Sequence, residues 1–177
     1  MSFAVAVLTV SDKGSRGQRE DTSGPLIGQT LSPLGGVVTE YAVVPDDKET
    51  IAQRLMAWAD SGRVDLIATT GGTGLAPRDV TPEATLAAAE RLVPGLTEVM
   101  RGESLKKTPQ AMLSRAVAGI RGRTLIVNLP GSPKAVAECL SAILPALPHA
   151  IEMVRGEGEE CASRDDLVPV DWGKRDG

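Results

Sequence analysis

The stretch Val64–Thr85, VDLIATTGGTGLAPRDVTPEAT, decides the architecture. Its opening run, VDLIATT, is short, apolar and bounded by turn residues, which predicts a buried strand. Its middle holds Gly71, Gly72 and Gly74 among hydroxyl residues, then Arg78 beside Asp79. Its end, Thr81-Pro82, offers a cap and a first-turn proline to a helix. A buried strand, a polar glycine loop and a helix in succession form one unit of an α/β sheet protein.

The same unit recurs on both sides. FAVAVLTV (3–10) reads as a strand apolar on both faces, followed by the loop SDKGSRGQREDTS and a helix opening at Gly24-Pro25. VVTEYAVV (37–44) is a second strand. A helix is expected from about Asp47 to Ser61, with Ile51, Leu55 and Trp58 on one face. GLTEVMRGESLKK and PQAMLSRAVAGI read as two further helices, and TLIVNL (124–129) as a fourth strand. Ser132-Pro133 caps a helix carrying Val136, Leu140, Ile143 and Leu147 on one side, with Pro145 and Pro148 set to bend or restart it. The fold class is α/β with a mostly parallel sheet. In such sheets ligands bind beyond the carboxyl ends of the strands. Each unusual loop (SDKGS, PDD, TTGGTG, NLPGSP) follows a strand, so the four are expected to gather at one edge.

Composition narrows the function. A chain of 177 residues suits one domain. A single domain is expected over 1–155, with a polar tail over 156–177 that lacks hydrophobic periodicity. The net charge of −4 argues against a nucleic-acid partner, which needs a basic stripe. One His and the widely spaced Cys139 and Cys161 argue against zinc and against a disulfide framework. MSFAVAVLTV has no charged leader region and is too short to span a bilayer, so a soluble cytoplasmic protein without a membrane partner is expected.

The glycine loop is not a P-loop, since no Gly-Lys precedes a Ser or Thr there, and Pro77 stands where a dinucleotide fingerprint needs its third glycine. Gly71, Gly72 and Gly74 nonetheless leave backbone N–H groups able to face an anion, and Thr69, Thr70 and Thr73 add hydroxyls. Asp12, Asp46, Asp47 and Asp79 stand in the strand-end loops as candidate metal carboxylates. Lys13, Arg16, Arg78 and Lys134 are candidates to meet phosphate oxygens. Asp46 with Glu49 also makes a capping box, and Asp47 then reads as a first-turn acid favoured by the helix dipole.

TTGGTG…RDVTPEAT resembles the signature of the molybdopterin-binding family of molybdenum-cofactor biosynthesis, which includes bacterial molybdopterin adenylyltransferases and the G domains of plant and animal cofactor-synthesis proteins. VSDKGSRG, VVPDDKETI and VNLPGSPKAVAECL agree in order, so the resemblance runs from about Val5 to Val154. It implies a three-layer α/β/α fold, usually a homotrimer, that binds molybdopterin, a pterin with a dithiolene and a terminal phosphate. It implies transfer of AMP from ATP to that phosphate with Mg2+ present and pyrophosphate released. The product then passes to a separate molybdate-inserting protein, a domain not expected within this chain. The resemblance ties Asp46 and Asp79 to catalysis, Asp46 also to the metal. It ties Gly71, Gly72, Thr73, Gly74, Ser11, Asp12, Asn128, Pro130, Gly131 and Ser132 to substrate. A phosphate monoester, with second pKa about 6, is already largely dianionic near neutral pH, so the chemistry needs charge neutralisation more than a base. The alternative is a molybdopterin-binding or scaffold member of the family without significant adenylyl transfer.

Overall fold

The computed structural model describes residues 1–157. The expectations for the tail, including Cys161, lie outside the described residues. Four parallel strands form the centre: β1 (Phe3–Val10), β2 (Gly36–Val44), β3 (Leu66–Thr70) and β6 (Thr124–Leu129). β4 (Arg91–Leu92) and β5 (Ala118–Arg121) extend one side antiparallel, giving the order β2-β1-β3-β6-β5-β4. The helices are α1 (Asp12–Ser15), α2 (Ser23–Leu31), α3 (Lys48–Asp60), α4 (Thr81–Ala88), α5 (Pro94–Leu105), α6 (Pro133–Ile143) and α7 (Leu147–Arg155).

Alternation along the buried strands makes the three layers, because successive side chains face opposite sides of a sheet. Phe3, Val5 and Val7 of β1 join Leu66, Ala68, Leu125 and Val127 against α2, α5, α6 and α7. Ala6, Leu8 and Val10 join Ile67 and Ile126 against α3 and α4, where Ile51, Leu55 and Trp58 are buried together as the periodicity requires. Among the described residues no single helix is long and apolar enough to cross a membrane.

Two readings from sequence need correction. PQAMLSRAVAGI is not a helix. Pro109–Leu113 is a short 3-10 turn capped by Thr108, and Ala118–Arg121 is strand β5. Tertiary pairing decides it: Ala118 to Arg121 pair with β6, and Ala116 and Ala118 are buried with a period of two rather than 3.6. Gly119 suits the strand because a Cβ there would sit 2.7 Å from the Cβ of Ala89. The second correction concerns α3. Its cap is Asp47, whose carboxylate accepts the Thr50 N–H at 2.8 Å and the Thr50 hydroxyl at 2.6 Å. Asp46 is not in a capping box with Glu49, because its carboxylate turns the other way, to the loop after β1. Asp47→Ala is accordingly expected to cost about 0.5–2 kcal/mol of stability, read as a lower unfolding midpoint, with turnover preserved.

Candidate active site

The order of the sheet puts a crevice between β1 and β3. The chain runs from β1 outward to β2, then returns across to β3, so the connections leave in opposite directions at this point. Such a switch point opens a cleft at the carboxyl ends of the strands. A cavity of about 540 Å³ occupies it, lined by Thr9, Val10 and Ser11 from β1 and its loop, and by Thr70, Gly71 and Gly72 from β3. Asp46, Arg19 to Ser23 and Gly131 to Pro133 complete the wall. A second cavity, about 290 Å³, lies on the other side of the glycine loop, between α5, the 3-10 turn and α6. Thr73, Gly74, Asn128 and Pro130 line it from the loop side, and Met100, Leu113 and Ala116 supply apolar wall. The glycine loop therefore separates two cavities and touches both.

That loop bends because Gly71 and Gly72 are both left-handed, with φ of 98° and 65°. Glycine reaches that region without the Cβ clash that other L-residues incur there. Thr81 stitches the bend to α4: its hydroxyl donates to Gly71 O at 2.9 Å and its N–H to Gly72 O at 3.1 Å. Thr81 is thus the buried first residue of α4, with Val80 as cap, rather than the cap expected from sequence. The Gly71 N–H is not free, since it prolongs the β3–β6 ladder to Leu129 O at 3.2 Å. The N–H groups of Gly72, Thr73 and Gly74 take no acceptor among the described residues.

Asp46 lies across from this bend. Its Oδ2 accepts the Asp12 N–H at 2.8 Å, and the Asp46 N–H donates to Asp12 Oδ1 at 3.1 Å. Arg78 closes the cluster with a fork on Asp12, Nε to Oδ2 at 3.0 Å and Nη2 to Oδ1 at 2.6 Å. The two carboxyls respond oppositely. Arg78 holds Asp12 below the ordinary carboxylate range, helped by the Asp46 N–H. Burial pushes Asp46 up, and the negative charges of Asp12 and Asp79 push the same way. Asp46 Oδ1 accepts no hydrogen bond among the described residues, and a Cβ on Gly72 would stand 3.4 Å from it. The cleft thus holds one half-buried carboxylate with an unspent oxygen beside free N–H groups.

The other residues expected from sequence are gathered here in different capacities. Ser11 caps α1 by accepting the Gly14 N–H at 3.0 Å, and Ser132 caps α6 by accepting the Ala135 N–H at 3.2 Å. Pro130 O and Gly131 O accept the hydroxyls of Thr70 and Ser23. Asp79 folds its own turn, accepting the Ala76 N–H at 2.8 Å. The Asn128 carboxamide is fully buried: its NH₂ donates to Thr69 and Thr85, and its oxygen accepts the Val117 N–H. Its hydrogen bonds go to the scaffold that holds β3, α4 and β6 together. Among the described residues no group of three His, Cys, Asp or Glu forms a ready metal cage. The donor set suits a cation that keeps waters and phosphate oxygens and takes one or two carboxylates, as Mg2+ does.

Two features escaped the sequence. Asp21 anchors the large cavity: it accepts the N–H groups of Ser23 and Gly24 at the start of α2 and the hydroxyls of Thr9 and Tyr41. Burial raises Asp21, but these donors outweigh it and leave its carboxyl below the usual range. The same contact, with burial as the larger cause, pushes the Tyr41 hydroxyl up to about 12. The signal was present in EDTSG, an Asp two residues before Ser23 at a helix start. Arg115 is the second feature; it grips the glycine loop from behind.

The chain is similar along most of its length to proteins of one family. The profile of a family described as a probable molybdopterin binding domain matches residues 6–149. A curated Helicobacter pylori protein, molybdopterin adenylyltransferase, is 45% identical over 154 residues, covering 86% of this chain and 88% of that one. The Escherichia coli protein of the same name is 37% identical over 177 residues, covering 91% and 90%. Among solved structures, a molybdopterin biosynthesis enzyme MoaB from Thermus thermophilus superposes with a TM-score of 0.83 at 55% identity, over 89% of this chain and 99% of that one.

Proposed function

The chain belongs to the molybdopterin-binding family of molybdenum-cofactor biosynthesis, and on that premise we propose that it transfers AMP from ATP to the terminal phosphate of molybdopterin, releasing pyrophosphate. The observation that carries the reading is the glycine loop with Asp46 opposite it, shared by two cavities of unlike character. ATP fits the larger cavity, where Asp21, Arg19 and the Gly71-Gly72 bend offer polar partners. A flat pterin fits the smaller one, whose apolar wall is broken by Thr97, Arg101, Ser104 and Ser114. The phosphate of one and the α-phosphate of the other then meet at Gly72–Gly74. Asp46 would hold Mg2+, whose chemistry there is to neutralise phosphate charge. The free N–H groups orient the incoming phosphate oxygens and accept their charge without reorganising, which is how such sites lower a barrier. Assembly as a homotrimer, a cytoplasmic location and transfer of the product to a separate molybdate-inserting protein accompany this reading as expectations.

The reading is tested by pyrophosphate release from ATP, measured with and without molybdopterin and with Mg2+ chelated. Release should need both. Release from ATP that ignores molybdopterin would defeat it.

A pH dependence follows from Asp46. Its folded pKa is raised, so its carboxylate takes up a proton at a pH above that of an ordinary Asp. Without Mg2+, its charge should therefore be lost earlier on the acid side than that of an unperturbed carboxylate; a bound cation would hold it ionised and move its pKa back down. For stability the sign is opposite to that of a salt-bridged acid. The cost of ionising Asp46 is fully present above its folded pKa, shrinks as pH falls through that value and is gone below the unfolded one. A titration of the metal-free protein that finds Asp46 at the ordinary Asp value, or at a value that Mg2+ does not lower, would contradict the assignment.

A further inference from the structure

We infer that Arg115 is a positioning residue for the phosphate cradle: it holds the carbonyl side of the loop Thr73–Asp79 and thereby turns its N–H groups toward the ligand. This rests on the reading that the glycine loop receives the phosphate of molybdopterin.

The contacts are specific. The Arg115 backbone N–H donates to Thr73 O at 3.0 Å, and its Nε donates to Gly74 O at 2.8 Å. Nη2 donates to Asp79 O and Nη1 to Glu83 Oε1. In a trans peptide the C=O and the following N–H point in opposite directions, and the described chain has no cis bond. Fixing the carbonyls of Thr73, Gly74 and Asp79 on Arg115 therefore aims the N–H groups of Gly74, Leu75 and Val80 away from it. None of those three has an acceptor among the described residues. The same guanidinium settles Glu83, whose carboxyl it lowers and whose Oε2 is buried without a hydrogen-bond partner.

The position of Arg115 in the chain adds a second link. Its neighbours Ser114 and Ala116 line the smaller cavity, while its N–H is bonded to the glycine loop. The pterin wall and the phosphate cradle are thus one connected piece. The groups proposed for ATP, Asp21 and the β1 loop, line the other cavity and lie outside that piece. Lysine cannot substitute, because one ammonium cannot reproduce a planar fork on three separate oxygens.

The test uses the full chain with Arg115→Lys and Arg115→Ala. Molybdopterin and ATP are titrated separately by calorimetry, and unfolding midpoints are recorded. In Arg115→Lys, molybdopterin affinity should fall about tenfold or more while ATP affinity changes by less than about twofold. KM for molybdopterin should rise more than kcat falls. Free guanidinium ion at low, non-denaturing concentration should restore part of the molybdopterin affinity of Arg115→Ala. Unchanged molybdopterin affinity in either folded variant overturns the inference, as does equal weakening of both substrates together with a lowered midpoint. If the unsubstituted protein itself binds ATP but no molybdopterin, the functional reading beneath the inference is what fails, and the inference falls with it.

Discussion

Asp46→Asn is expected to lower turnover by roughly 10²–10³-fold, the scale of losing one group that stabilises transition-state charge. Its unfolding midpoint should barely move. The carboxamide oxygen of Asn can still accept the Asp12 N–H, so the link between the loops after β1 and β2 survives. What disappears is a negative charge that burial and the neighbouring Asp12 and Asp79 already disfavour, so folding loses nothing by its removal. Binding of ATP and of molybdopterin should persist, because the glycine loop and Asp21 are untouched. Steady-state kinetics and a thermal scan on the same preparation decide it. Normal turnover in a folded variant would remove Asp46 from the chemistry. Loss of turnover with a large drop in midpoint would show that its role is to tie the two loops.

Gly72→Ala should damage both stability and turnover. An L-residue held at a φ of 65° costs about 1–2 kcal/mol. Its Cβ would also press on the Thr81 hydroxyl, which is bonded to Gly71 O, and would approach Asp46 Oδ1 to 3.4 Å. A decrease of several degrees in the unfolding midpoint is expected, at about 2–4 °C per kcal/mol for a chain of this size. Turnover should fall by more than about tenfold, because the loop must shift where it meets the reacting phosphates. Gly62→Ala is the control. Gly62 has a similar φ of 67°, and a Cβ added there would meet nothing within 4 Å, so the substitution carries the backbone cost alone. It should lose stability and keep its rate. Equal rates in the two variants would show that the bend serves folding only.

The layered sheet was legible because its central strands β1, β3 and β6 are buried on both faces, and continuous apolar runs such as FAVAVLTV announce that burial directly. The gathering of four loops at one edge followed from the parallel order alone. β4 and β5 were not legible. β4 has two residues, and β5 exists because β6 pairs with it, a contact that local periodicity in AVAGI does not report. The assignment of the cap to Asp46 failed by one residue for a similar reason. Asp46 and Asp47 are both good caps locally, and the choice is made by a backbone N–H of Asp12, 34 residues away. That displacement matters for function, since it releases the Asp46 carboxylate from the helix and delivers it to the cleft. Arg115 was one basic residue among nineteen, in a segment read as helix. Only the folded chain shows its fork meeting two loop carbonyls and a carboxylate while its backbone N–H takes a third carbonyl.

The most direct measurement follows the two ends of ATP separately. The protein is incubated with molybdopterin, Mg2+ and ATP labelled either at the α-phosphate or at the γ-phosphate, and the pterin fraction is isolated. Adenylyl transfer puts the α label on molybdopterin and sends the γ label out as pyrophosphate. The γ label on the pterin would mean phosphoryl rather than adenylyl transfer. No label on it, from a protein that binds both ligands, would mean that the chain holds molybdopterin without modifying it. Either result would contradict the account.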